Sequence, residues 1–210
     1  MDWAERAEEA IARYRSGETR DADQRQLTQL ANSAWAAGLS LLMTGQGGES
    51  REWLRIAAGR YRESWEAGAP ADSWGRPIAA MKSLLLAGDD AAPAARWALD
   101  AGAADAESPI GRYAGTLALL VLGEDAAAFA LGVTLRDRDD FPKPVAAALV
   151  TLAEADRAGY RLAVGEILES FEERSEFLED VPVADTVLVL QALAAARGEA
   201  VELPASPRLP

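Results

Sequence analysis

The sequence predicts an all-α protein of about ten helices, stacked as antiparallel hairpins in a solenoid-like array and followed by an extended C-terminal tail. A pattern of small residues, paired leucines or similar side chains, and a final glycine occurs three times. Its copies are Ala36-Ala37-x-x-Ser40-Leu41-Leu42-x-x-Gly45, Ala79-Ala80-x-x-Ser83-Leu84-Leu85-x-x-Gly88 and Ala114-Gly115-x-x-Ala118-Leu119-Leu120-x-x-Gly123. Copies spaced by about 40 residues are typical of helical-hairpin repeats. No segment shows the apolar–polar alternation that predicts a strand.

The first half of the chain predicts five helices, each with apolar residues at helical spacing and a glycine or proline after it. We expect helices over residues 2–16, from a cap at Thr19 or Asp21 to about Thr44, from Ser50 to Gly68, from Ser73 to Gly88, and from Asp90 to Gly102. The run Gly45-Gln46-Gly47-Gly48 is expected to form a loop. It lacks the Lys-Ser/Thr of a phosphate-binding loop and follows a helix rather than a strand.

The second half predicts five more helices and the tail. We expect them from Ser108-Pro109 to Gly123, over 125–135, from Pro142 and Pro144 to near Asp156, over 159–174, and over 183–197. Ser108 followed by proline is a strong helix start, because serine caps the helix and proline fits its first position. Gly198 ends the last helix, and residues 198–210 form the extended tail. The whole chain, 1–210, is expected to be a single domain.

Each predicted hairpin also carries one aromatic residue in its second helix, namely Trp53, Trp97 or Phe129. Small residues of one helix facing a large residue of the next allow close packing between hairpins. The pair Gly111 and Gly115 is expected to serve the same close approach. In its period and in this pairing of small with large residues, the chain resembles tetratricopeptide-type repeats, although their Trp-Leu-Gly-Tyr signature is absent.

The charge of the chain excludes some classes of partner. Its 34 acidic and 21 basic residues give a net charge of −13. A protein this acidic is repelled by nucleic acid and by anionic membranes, so we expect it to bind neither. Only Lys82 and Lys143 are lysines; the other basic residues are arginines. Two interpretations of the acidity remain open: a surface adapted to salt, or an interface for a basic protein.

The residue types that are missing exclude much of catalysis. The sequence contains no cysteine and no histidine, which removes disulfides, thiolate nucleophiles, zinc ribbons and histidine-based acid–base chemistry. We therefore expect no catalytic residues, no metal, no cofactor and no enzymatic activity. The start of the chain does not resemble a secretory signal, and its longest apolar stretch, Leu117 to Leu122, is far too short to span a membrane. The expected location is the cytoplasm.

The most acidic stretch predicts a docking face. Glu169, Glu172, Glu173 and Glu176 have i, i+3, i+4, i+7 spacing and are expected to share one face of a helix. Like charges at this spacing repel each other. A face that retains them is a candidate site for a basic protein partner, and salt adaptation is the alternative explanation.

A second candidate site lies in the third predicted helix. Arg51, Trp53, Arg55 and Arg62 combine arginine with an aromatic side chain, a mixture common at binding hot spots. They suggest a groove for a peptide or a small anion. Glutamates nearby in the same helix offer the alternative that these arginines form local ion pairs. All six tryptophans lie in the first half of the chain, and whether they form core or groove stays open.

Two segments resemble a known family. The first is Leu190-Gln191-Ala192-Leu193-Ala194-Ala195-Ala196-Arg197-Gly198, followed by Val201-Glu202 and Ser206-Pro207-x-Leu209-Pro210; the second runs from Ser73-Trp74 to Leu84-Leu85-Leu86. The first resembles the end, and the second the tryptophan-led central helix, of the all-helical immunity proteins of bacterial polymorphic toxin systems. The resemblance implies a non-enzymatic protein that binds and occludes a toxin. Many such toxins are basic nucleases, which an acidic protein would suit.

Overall fold

The computed structural model describes residues 2–210 and contains ten α-helices. They are α1 (Trp3–Gly17), α2 (Gln24–Met43), α3 (Gly47–Glu66), α4 (Gly75–Ala87), α5 (Ala92–Asp100), α6 (Pro109–Leu122), α7 (Asp125–Arg136), α8 (Lys143–Ala153), α9 (Arg157–Glu173) and α10 (Asp185–Ala196). Short 3₁₀ turns lie at Ala103–Asp105 and Leu178–Asp180. Residues 2–210 contain no strand, so the prediction of an all-α fold is confirmed.

The repeated sequence pattern ends a helix in the same way each time. Gly45, Gly88 and Gly123 have φ angles of 79°, 72° and 72°. In each copy the glycine N–H donates to the carbonyl three residues earlier, and the next N–H donates to the carbonyl five residues earlier. These bonds satisfy the free carbonyls of the last turn, and only glycine adopts the left-handed conformation without strain. The pattern is therefore a helix-ending signal after α2, α4 and α6.

Two predicted helix starts are wrong. Helix α2 begins after Asp23, not Thr19 or Asp21, because the Asp23 carboxylate accepts the N–H groups of Arg25 and Gln26 at 2.8 Å each. Gly47 and Gly48 lie in the first turn of α3 and are not a loop. Ser50 consequently lies inside α3, where its hydroxyl donates to the carbonyl of Gly38 on α2 at 2.8 Å. The serine thus joins two helices where it was expected to cap one.

Each helix packs against the next along the chain, and the last helix also packs against a helix of the first half. Helix α10 contacts α4, α8 and α9. It is apolar on nearly every side, and Val187, Val189, Leu190 and Leu193 are buried. A helix that is hydrophobic all round belongs in an interior. The core therefore contains helices from the first half of the chain together with α10, the last helix of the second half.

The tryptophans belong to this core or lie against it. Trp35, Trp74 and Trp97 are buried, and Trp3, Trp53 and Trp65 are partly buried against the same cluster. The ring of Trp65 lies 6.1 Å from that of Trp74 and 5.6 Å from that of Trp97, the latter edge to face. Such arrangements stabilise beyond the burial of area alone.

The residues after α10 follow the surface of the last two helices. No helix is formed over 199–210. The Ala184 N–H donates to the carbonyl of Arg208 at 2.9 Å, and the Arg157 side chain donates to the carbonyl of Ala200 at 3.0 Å. Val201 is buried. These contacts tie the segment to the N-terminal ends of α9 and α10.

Three buried tyrosines predict a loss of stability in alkali. Burial raises the pKa of Tyr61, Tyr113 and Tyr160, so the folded protein holds these protons after the unfolded chain has released them. The stabilising contribution is complete below the unfolded pKa of about 10 and is lost as the pH rises above it. We expect the urea midpoint to be steady from pH 7 to about 9 and to fall steeply above about 10. An unchanged midpoint at pH 11 would contradict this burial.

Candidate functional site

Helix α9 carries three of the four predicted acidic residues, and its apolar stripe determines which way they point. The Asp156 carboxylate caps the helix by accepting the Gly159 N–H at 3.0 Å. The residues that face the core are Tyr160, Ala163, Val164, Ile167, Leu168 and Phe171, all buried. Their i, i+3, i+4, i+7 spacing turns the opposite face to solvent. On that face Leu162 is 71% exposed.

Glu169, Glu172 and Glu173, here called the α9 acidic surface, are exposed near the C-terminal end of the helix. None of the three forms an ion pair with any residue of 2–210; the Glu172 carboxylate only accepts a hydrogen bond from the Ser206 hydroxyl at 2.6 Å. The C-terminal end of a helix carries partial negative charge. These carboxylates therefore repel each other, and the partial negative charge at the end of the helix repels them as well.

The fourth predicted carboxylate does not share this face. Helix α9 ends at Glu173, and Arg174 is extended, with ψ of 147°. Glu176 is exposed in the segment that follows. The expectation that all four glutamates lie on one helix face is wrong for Glu176, because the i+7 relation holds only while the helix continues.

The residues of the predicted Trp/Arg groove are divided between two sides of α3. Trp53 packs edge to face on Tyr14 of α1, with ring centres 5.2 Å apart. Arg55 and Arg62 face α4 and α5, where they line a cleft of ≈ 450 Å³ with Trp97. Residues two apart on a helix point in nearly opposite directions. The expectation of one groove containing both Trp53 and Arg55 is therefore wrong.

The arginines of this group also have partners within the chain. Arg51 Nε donates to the carbonyl of Gly47 at 2.9 Å. Arg55 donates twice to the Asp89 carboxylate, at 2.6 and 2.8 Å, and lowers the pKa of Asp89 mainly through this hydrogen bond. Arg62 donates to Glu66 at 2.6 Å and lies 4.6 Å from the ring centre of Trp97. An incoming anion would have to compete with these bonds.

A buried ion pair was not anticipated from the sequence. Lys82 on α4 pairs with Asp185 at the start of α10, and both side chains are only 12% exposed. Burial opposes the charge on Lys82, but the Asp185 carboxylate outweighs it and the pKa of Lys82 lies above its usual value. A single lysine within Ala79-Ala80-Met81-Lys82-Ser83-Leu84 was the available signal, because a lone charge in an apolar helix needs a partner.

The fold and these sites define an all-helical protein with an unpaired acidic surface at the end of α9. Within residues 2–210, no three acidic side chains are grouped as metal ligands. No helix in the same range is long and apolar enough to cross a membrane. Comparison of the chain with protein-family models, with curated proteins and with solved structures finds no match in any of the three.

Proposed function

We propose that the protein is a non-enzymatic, protein-binding module of the cytoplasm whose α9 acidic surface docks on a basic partner, in the manner of an immunity protein that occludes a toxin. Its helices would act as a solenoid-like array, with the C-terminal tail packed back on the core. The proposal excludes nucleic acid and anionic membranes as partners, because the charge of the chain repels both. The resemblance of the C-terminal segment and of the region around Trp74 to immunity proteins points the same way.

One observation carries the proposal. Glu169 and Glu173 are exposed, unpaired and close to the negative end of a helix, whereas the arginines of α3 are already bonded within the chain. A cationic surface would relieve the repulsion among the carboxylates and with the helix end. Leu162, seven residues before Glu169 and about 10 Å away along the helix, is also exposed and would give the partner an apolar contact.

The test is affinity capture from the native host, followed by kinetics with the captured partner. We expect one stoichiometric basic protein. We further expect the triple variant Glu169→Gln, Glu172→Gln, Glu173→Gln to slow association by about ten-fold at low salt and to flatten its salt dependence, because the attraction between the surfaces steers the encounter. The matched control is Glu5→Gln, Glu8→Gln, Glu9→Gln on α1, which changes the net charge equally and involves exposed carboxylates.

Comparison of the two triple variants distinguishes an effect of the α9 acidic surface from an effect of the overall negative charge. Equal slowing by both triple variants would assign the effect to overall charge, as expected for a salt-adapted surface. An unchanged salt slope in the α9 variant would remove this surface from the interface.

The alternative is a scaffold that binds a peptide or small anion at the arginines of α3. It is favoured only by the cleft that Arg55 and Arg62 line with Trp97. Loss of partner binding in Arg55→Ala, with full binding in the α9 variant, would select it.

A further inference from the structure

A second feature of the molecule is a mainly apolar cavity beside the buried Lys82. Its volume is ≈ 440 Å³, and it lies among residues of α4, α6, α8, α9 and α10. Its main apolar side chains are Ile110, Tyr113, Phe141, Val145, Ile167 and Phe171. This size and this lining, with few polar groups, are typical of sites for small organic ligands. Ile110 is 44% exposed, which places the opening at the start of α6.

Two cationic groups line the cavity. Lys82 Nζ donates to the Asp185 carboxylate and to the Thr186 hydroxyl, the latter at 3.1 Å. An ammonium group has three donors, so one remains. The Arg174 guanidinium lies 4.0 Å from the ring centre of Phe171 and donates to the Ser170 hydroxyl at 3.2 Å. Arg174 forms no ion pair with any residue of 2–210.

The charges that face the cavity leave one positive charge uncompensated. Asp185 balances Lys82. Asp140 also lines the cavity, but Arg138 donates twice to its carboxylate, at 2.7 Å each. Arg174 therefore has no ion-pair partner within this cavity; on its other side it borders a cleft that contains Asp2, Glu5, Glu9 and Asp180. Arg174 is exposed, so water solvates its charge, but a carboxylate bound in the cavity would accept charge-assisted hydrogen bonds from it and from Lys82. Glu176 lines only an adjoining cavity, which shares Lys82 and Arg174.

We propose that this cavity binds a small monocarboxylic acid with an aromatic body, its carboxylate between Lys82 and Arg174 and its ring against Phe141 and Phe171. Arginine and lysine donors suit a carboxylate, and the apolar lining suits the ring. A dicarboxylate or a phosphate would bring excess negative charge beside Asp185. The site uses none of the residues of the α9 acidic surface, so its test is independent of the proposed function.

The experiment is calorimetric titration of the full chain with 2-naphthoate and with its neutral analogue 2-naphthylmethanol. We expect one binding site per chain. The carboxylate should bind about ten-fold more tightly than the alcohol, because one hydrogen bond between charged groups contributes at least that difference in affinity. In Arg174→Gln this preference should largely disappear, while Arg161→Gln, an exposed arginine on α9 outside the cavity, should keep it. Ile110→Trp, at the opening of the cavity, should weaken the binding of both probes.

The outcomes are decisive in each direction. Equal affinity for the two probes in the unmodified protein would overturn selection of a carboxylate. No binding of either probe, or binding that survives both Arg174→Gln and Ile110→Trp, would overturn the site. If Arg174→Gln fails to fold, the comparison of the two probes and the Ile110→Trp variant still test the proposal.

Discussion

Asp185→Ala should lower the free energy of unfolding by about 3–5 kcal/mol at pH 7, because it leaves the Lys82 ammonium buried without its counter-charge. Lys82→Met should lower the free energy of unfolding by less than Asp185→Ala does. The Asp185 carboxylate that it strands lies in the first turn of α10, where the partial positive charge of a helix start stabilises it. Urea unfolding followed by tryptophan fluorescence gives both values.

A double variant and a pH series serve as controls for this prediction. Lys82→Met with Asp185→Leu replaces the pair by apolar side chains and should recover most of the lost stability. The pKa of Lys82 is raised in the folded protein, mainly because the Asp185 carboxylate overcomes the effect of burial. The contribution of the pair is therefore present below the usual lysine pKa of about 10.4 and lost above the folded value. The deficit of Asp185→Ala should shrink towards high pH, and a constant deficit would contradict the assignment.

Gly115→Ala should be destabilising, although alanine is the better helix former. A Cβ atom at this position would lie 2.9 Å from the carbonyl oxygen of Ala103 and from the N and Cα atoms of Ala104. These are backbone atoms, which cannot rotate away as a side chain can. Overpacking costs about 1–3 kcal/mol and exceeds the gain of about 1 kcal/mol from helix propensity. We expect a net loss of about 1 kcal/mol in urea unfolding.

Gly165→Ala is the matched control for this prediction. Gly165 lies in helix α9, and a Cβ atom there would meet no other atom within 4 Å. The same substitution should therefore stabilise by up to about 1 kcal/mol. Effects of the same sign at Gly115 and Gly165 would show that the close approach of α6 to the turn at Ala103–Asp105 has no energetic consequence.

The helix boundaries that the sequence predicted well are those with local causes. Helix α6 begins after Ser108, whose hydroxyl accepts the Gly111 N–H at 3.2 Å, and ends before Gly123. Both signals act within one turn of the chain. The boundaries predicted poorly had competing local signals: Thr19 and Asp21 were the predicted caps of α2, but Asp23 caps the helix, and Gln26 completes its capping box. The glycines at 47 and 48 entered α3 despite their low helix propensity.

The candidate sites were less predictable for a related reason. The three glutamates of α9 share a face because they lie within one helix, but nothing in Glu173-Arg174-Ser175-Glu176 marks where that helix ends. The residues of the Trp/Arg group were grouped by nearness in sequence. The structure separates Trp53 from Arg55, because residues two apart on α3 point in nearly opposite directions and face different neighbours.

The sequence by itself determined that this protein is helical and where most of its helices end. Caps, prolines and the glycines at 45, 88 and 123 act through hydrogen bonds between residues close in the chain. Only the tertiary structure decided that Lys82 meets Asp185, that Arg174 faces an apolar cavity and that Gly115 touches the backbone at Ala103. Such contacts depend on how helices far apart in sequence are aligned by packing. The pattern of residues within a single helix does not specify this alignment, because it depends on the packing of all the helices together.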